Sequence, residues 1–103
     1  MIRHLVFLKF PANKPREEKL ALFQRLSDLR EHLPGIADFG HRPNLSPETG
    51  VTHDFTDMFW VDFKDESARD AYLADPTHQA VGADLVAAMT GGTQGIFVCD
   101  IEL

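Results

Sequence analysis

The chain has 103 residues, 44% of them apolar and 25% charged, with 10 basic against 16 acidic side chains for a formal charge of −6. That length predicts a single domain over residues 1–103. The acidic balance excludes the clustered Lys and Arg that nucleic acid or an anionic membrane requires. No apolar run approaches the ~20 residues of a membrane span. The one cysteine, Cys99, excludes an internal disulfide and sits among apolar neighbours as a packed strand residue would. The N-terminal run is interrupted by Arg3 and Lys9 and is no export signal, so a cytoplasmic protein is expected.

Ile2–Phe10 is rich in β-branched and aromatic residues and predicts a strand that Pro11 ends. Asn13 is placed to cap a helix, with Pro15 in its first turn and Glu17 and Glu18 near its positive end. Leu22, Phe23, Leu26, Leu29 and Leu33 recur at spacings of three and four and form one apolar stripe, which Pro34-Gly35 terminates. Ile36–Leu45 predicts a weaker second strand, and Asn44 to Gly50 a loop. Phe55–Phe63 predicts a strong third strand, with Phe55, Phe59, Val61 and Phe63 on one face and Met58 and Trp60 on the other. Asp65 caps a short helix through Ala74, and Asp75-Pro76 restarts a helix running to about Met89. Gly91-Gly92 breaks it before a last strand over Gly95–Leu103.

The order is β-α-β-β-α-β, the ferredoxin-like arrangement of an α+β fold: two helices on one face of a four-stranded antiparallel sheet. Two helices cover only one face, yet the strands are apolar on both. The bare face predicts a homodimer with two sheets packed against each other.

Five histidines are candidates for chemistry. His32, near the end of the first helix, and His41, in the weak strand, read as surface residues. His4 is a polar group on the strand face that carries Val6 and Leu8. His78 falls in the first turn of the restarted helix, where the positive helix end disfavours an imidazolium and suits a general base. The phenol of Tyr72, just before the restart, is a candidate donor to a developing enolate. Alternation along the third strand places His53 on the face of Asp57. No metal-ligand spacing, phosphate loop or nucleophile elbow occurs, so neither metal nor cofactor is expected.

Four segments resemble the stress-responsive A/B barrel domain family, whose members form dimeric α+β barrels. They are Ile2-Arg3-His4-Leu5-Val6-Phe7-Leu8-Lys9-Phe10, Leu33-Pro34-Gly35-Ile36, Asn44-Leu45-Ser46-Pro47-Glu48, and the run from Asp70 through Tyr72 and Pro76 to His78. The resemblance covers essentially the whole chain. It is similar to the family's plant olivetolic acid cyclase, which closes a linear poly-β-ketone by an intramolecular aldol reaction without a cofactor. That resemblance implies His78 as base, Tyr72 as its partner and His4 as the first-strand histidine. The enzyme's second strand histidine falls at the column of Asp57, and Asp75 stands where the family often has His. Plant relatives hold a magnesium ion on carbonyls that match those of Arg30, Leu33 and Ile36.

The combined reading is a dimer acting on a small apolar or carbonyl-containing ligand, without cofactor. His78, Tyr72 and His4 would be catalytic, and Leu22, Phe23, Leu26 and Asp57 would line the substrate site. The alternatives are a non-catalytic stress-related binding or interaction protein, and a monooxygenase or isomerase of the wider barrel superfamily.

Overall fold

Strict alternation of inward and outward side chains organises the first strand of the computed structural model, which describes residues Met1–Leu103. In β1 (Ile2–Leu8), Ile2, His4, Val6 and Leu8 are buried while Arg3, Leu5 and Phe7 are half-buried on the other face. The remaining elements are α1 (Arg16–Asp28), β2 (Ile36–Pro43), β3 (Asp57–Phe63), α2 (Glu66–Ala74), α3 (Pro76–Ala88) and β4 (Ile96–Glu102). The sheet order is β2-β3-β1-β4, with every neighbouring pair antiparallel. This is the ferredoxin-like topology that the element order predicts.

The helices cover one face of the sheet. Phe23, Leu26 and Leu29 from the first helical stretch, Tyr72 from α2 and Val81 and Leu85 from α3 meet Val6, Leu8, Phe59, Val61 and Phe63 of the sheet in one core. The apolar stripe expected along the first helix is therefore its inward face, with Leu22 and Leu33 packed at its margin.

Several boundaries differ from expectation. The chain enters α1 through Pro15 in an extended conformation, with no side-chain cap, so Asn13 does not cap this helix. Proline's fixed φ takes over the entry. After Asp28 the helix tightens into a 3-10 turn, Leu29–Glu31. β3 begins at Asp57 rather than Phe55, because His53 and Asp54 both adopt left-handed backbone (φ 51° and 63°). They form a turn closed by the Phe55 N–H donating to the Thr52 carbonyl at 3.0 Å, as in a type I′ turn. His53 therefore lies off the strand and does not share a face with Asp57.

The other sheet face carries Leu5, Phe7, Met58, Trp60, Phe97, Cys99 and Ile101, as the register requires. Phe97 is 56% exposed and Ile101 41%. The Trp60 ring lies on Gly40, where any Cβ would overlap it. Its face is flanked by the guanidinium groups of Arg3 and Arg42, at 5.8 and 5.5 Å. The indole N–H donates to Asp38 at 3.0 Å. Arg3 in turn donates both arms of its fork to Asp62, at 2.8 and 2.9 Å. No helix is long and apolar enough to cross a membrane.

Candidate active site

His4 is turned toward the helices by the period of β1, and the register sets it between Val61 of β3 and Asp100 of β4. Its Nδ1 lies 2.6 Å from an Asp100 carboxylate oxygen. The other Asp100 oxygen accepts from Arg69 of α2 at 3.2 Å. Against a carboxylate, Nδ1 is the donor of this pair, and Nε2 is the ring's other nitrogen.

Tyr72 and His78 are six residues apart, and Asp75 brings them together. Asp65 starts α2 by accepting the Ala68 N–H at 2.8 Å. Asp75 ends that helix in extended conformation and starts α3, accepting the His78 N–H at 2.9 Å, with Pro76 at the first helical position. The bend lays the Tyr72 ring against the His78 ring, with centroids 3.8 Å apart. Tyr72 also packs on Phe63 at 5.0 Å and meets His4 edge-on at 5.9 Å. The second Asp75 oxygen accepts from His32 Nε2 at 3.0 Å, so His32 ties the end of the first helical stretch to the bend.

Two polar atoms in this cluster are buried and without a hydrogen-bond partner, the Tyr72 hydroxyl and His78 Nδ1. Burial, with the nearby His4, holds the His78 pKa below 6.5 against the opposing pull of Asp75. The ring is neutral near neutral pH. Burial also pushes the Tyr72 phenol up, so it keeps its proton. The cluster thus joins a neutral imidazole, a protonated phenol and a second imidazole fixed by a carboxylate.

The structure brings together His4, Tyr72 and His78 as expected, but not the other proposed site residues. Leu26 is buried in the core and Leu22 packs at its edge. Phe23 stacks on His41 at 4.2 Å. Asp57 pairs with Leu8, four residues along the sheet from His4, roughly 13 Å at strand spacing. It accepts from Lys19 at 3.0 Å. His41 is not the surface residue expected from its strand. It is half-buried on Phe23, and burial followed by the charge of Arg42 lowers its pKa. Asp100 and Arg69 were not apparent from the sequence. The only signal there is a carboxylate at an inward position of the last strand. The carbonyls of Arg30, Leu33 and Ile36 lie where the first helical stretch gives way to β2. The Leu33 oxygen accepts the Ile36 N–H at 3.1 Å, and Lys64 lines the groove there.

Residues 2–103 match the model of the stress responsive A/B barrel domain. A dimeric ferredoxin-like protein of unknown function from Jannaschia sp. CCS1 is 34% identical, with 99% of this chain and 98% of that one covered and a TM-score of 0.87. A protein of Arabidopsis thaliana is 17% identical over 100% of this chain and 95% of its own, with a TM-score of 0.86. The hydroxynitrile lyase of Passiflora edulis is 14% identical over 99% and 92%, with a TM-score of 0.81. No curated protein matches the chain. With its sequence matched almost end to end and its fold shared with these structures, the chain belongs to the stress responsive A/B barrel domain family.

Proposed function

We propose that this protein is a homodimeric enzyme, independent of any cofactor, that moves a proton next to the carbonyl of a small substrate, as in an aldol closure. The observation that carries this reading is the pair of unpartnered buried atoms, Tyr72 Oη and His78 Nδ1, on touching rings. An unmade hydrogen bond in the interior costs about 1–3 kcal/mol, and such groups are rare enough that a catalytic role is one of the few reasons to keep them.

With its proton on Nε2, His78 offers the Nδ1 lone pair as general base. It takes the proton from the carbon beside the carbonyl, and the electron pair moves onto the carbonyl oxygen. Tyr72, still protonated, donates a hydrogen bond to that oxygen and stabilises its charge. In an aldol reaction the resulting enolate attacks a second carbonyl, and the proton on His78 returns to the new alkoxide. His4, fixed through Nδ1 by Asp100, joins the same cluster through its edge-on contact with Tyr72. The fold relatives include a hydroxynitrile lyase, so this fold accommodates catalysis. The side chains above carry the assignment.

The dimer rests on the second apolar face of the sheet and on the dimeric description of the Jannaschia relative. A second reading, binding of a carbonyl compound without turnover, is favoured by one observation: the main surface grooves are lined by residues other than His4, Tyr72 and His78.

The test needs no knowledge of the natural substrate. Exchange of the α-protons of a β-diketone for deuterium, followed by NMR, reports proton transfer directly. The expected rate rises with pH through an apparent pKa below 6.5, because only neutral His78 is a base. His78→Ala lowers it roughly 10²–10⁴-fold, the usual contribution of a general base. Binding without exchange in the wild type would leave the second reading, and full exchange in His78→Ala would overturn the first.

A further inference from the structure

β4 is an edge strand, and the helices leave its inward side open. Val98 there is 52% exposed, although Val6, its register partner in β1, is buried. Asp100, two residues on, reaches the buried His4 from this open margin. Its second carboxylate oxygen accepts one N–H, from Nη1 of Arg69. The Nε and Nη2 donors of the same guanidinium bond Asp70 at 3.2 and 3.1 Å, which fixes the plane of the fork. Side chains of alternating charge thus run inward from the surface, Asp70 to Arg69 to Asp100, and end on the His4 imidazole.

Arg69 lies three residues before Tyr72, on the same side of α2 by helical spacing. The helix that carries the phenol is therefore tied to the strands that carry His4 and its carboxylate. The tie falls in the same region where the His4 and Tyr72 rings meet edge-on. α2 and β4 share no backbone hydrogen bond, so the link is made by side chains. A carboxylate on an open sheet margin gains rotamer freedom when its cation is removed, and His4 then loses the partner that orients its ring.

We propose that Arg69 is a positioning residue of the reaction site: by holding Asp100 against Nδ1 of His4, it sets that ring against Tyr72. The inference rests on the proton-transfer reading above and adds to it a residue that touches neither the substrate nor the reacting atoms.

Arg69→Met keeps the aliphatic stem and removes the donors. The pair is part-exposed, so exchange of the β-diketone α-protons should slow about two- to fivefold, the scale of such an ion pair, in kcat with KM little changed. Arg69→Lys should recover most of that loss, since the contact on Asp100 is a single N–H that an ammonium also makes. In an Asp100→Asn background Arg69→Met should change the rate no further, because Arg69 acts through that carboxylate. A readout free of substrate is the Nδ1–H proton of His4 in ¹H–¹⁵N NMR. It should lie far downfield in the wild type, as a short charge-assisted hydrogen bond requires, and move upfield in Arg69→Met. A wild-type rate in Arg69→Met, an unmoved His4 signal, or a further full loss in the Asp100→Asn background would each overturn the assignment. Equal losses in Arg69→Met and Arg69→Lys, with both melting below wild type, would reduce Arg69 to a support of the fold and overturn it too. A wild type that exchanges no α-protons would sink the proton-transfer reading, while the His4 signal would still show whether Arg69 orients that ring.

Discussion

Replacing Tyr72 with Phe separates stability from chemistry. The hydroxyl is buried and has no partner, while the ring packs on Phe63 and His78. Tyr72→Phe removes one oxygen and keeps the ring, so no cavity the size of a side chain opens. A buried hydroxyl without a hydrogen bond costs about 1–3 kcal/mol, and its removal should return that amount as stability. For a domain of this length 1 kcal/mol moves the melting temperature by roughly 4–8 °C. The variant should therefore melt at least about 4 °C higher while exchanging α-protons roughly 10²–10³-fold more slowly, as when one donor to an oxyanion is lost. Calorimetry at a fixed protomer concentration checks the first part, because the melting of an oligomer depends on concentration. The exchange assay checks the second. A variant that melts lower than wild type would show that the hydroxyl has a stabilising partner, and the argument from an unsatisfied group would fail.

The remaining predictions concern the bend, the sheet and the dimer. Asp75→Ala should lower the melting temperature and shift the His78 signals, because one carboxylate caps α3 and holds His32. Hydrogen bonds from the His78 backbone and His32 depress the Asp75 pKa below 3.8, so its stabilisation is complete above that pH and is lost as pH falls through the lower folded value. An acid titration of wild type and variant should converge there. His78 has the same sign at higher pH. Its folded pKa lies below 6.5, so stability falls as pH drops below that value, and a His78→Gln variant should show a flatter profile. Gly40→Ala forces a Cβ into the Trp60 ring and should cost about 1–3 kcal/mol by denaturant unfolding. Phe97→Asp places a charge on the exposed apolar face and should yield monomers by light scattering, where the proposed wild-type dimer should bury on the order of 1,500 Å² between protomers. A monomeric wild type with a solvated face would remove the dimer from the proposal.

Which parts were legible in the sequence follows the range of the interactions. The inward position of His4 is a matter of period two along β1, a local property. The meeting of Tyr72 and His78 follows from Asp75-Pro76, whose cap and fixed φ act within one turn. Asp100 reaches His4 only because β4 pairs with β1 across nearly the whole chain, and no local pattern reports that register. His41 failed for a related reason. Its strand has few apolar residues, and its burial comes from stacking on Phe23 of α1. His53-Asp54 lacks the glycine that usually marks a turn of two left-handed residues, so strand alternation reads straight through a segment that turns instead. Placing Leu22, Phe23 and Leu26 around a substrate depended on the shape of a cavity, which depends on how tightly α1 settles on the sheet.

The cluster around Trp60 bears on how two copies of this chain can meet. Two guanidinium groups and two carboxylates, those of Arg3, Arg42, Asp38 and Asp62, surround one indole and balance each other within a single protomer. A second sheet laid over this face needs no counter-charge of its own, since the tile is already electrically closed. Its remaining demand is steric: a flat indole pinned over Gly40 leaves a fixed relief of ridges rather than a soft apolar surface. The relief that any second copy would meet on this face is thus set within each sheet, by the glycine under the indole, before the copies associate.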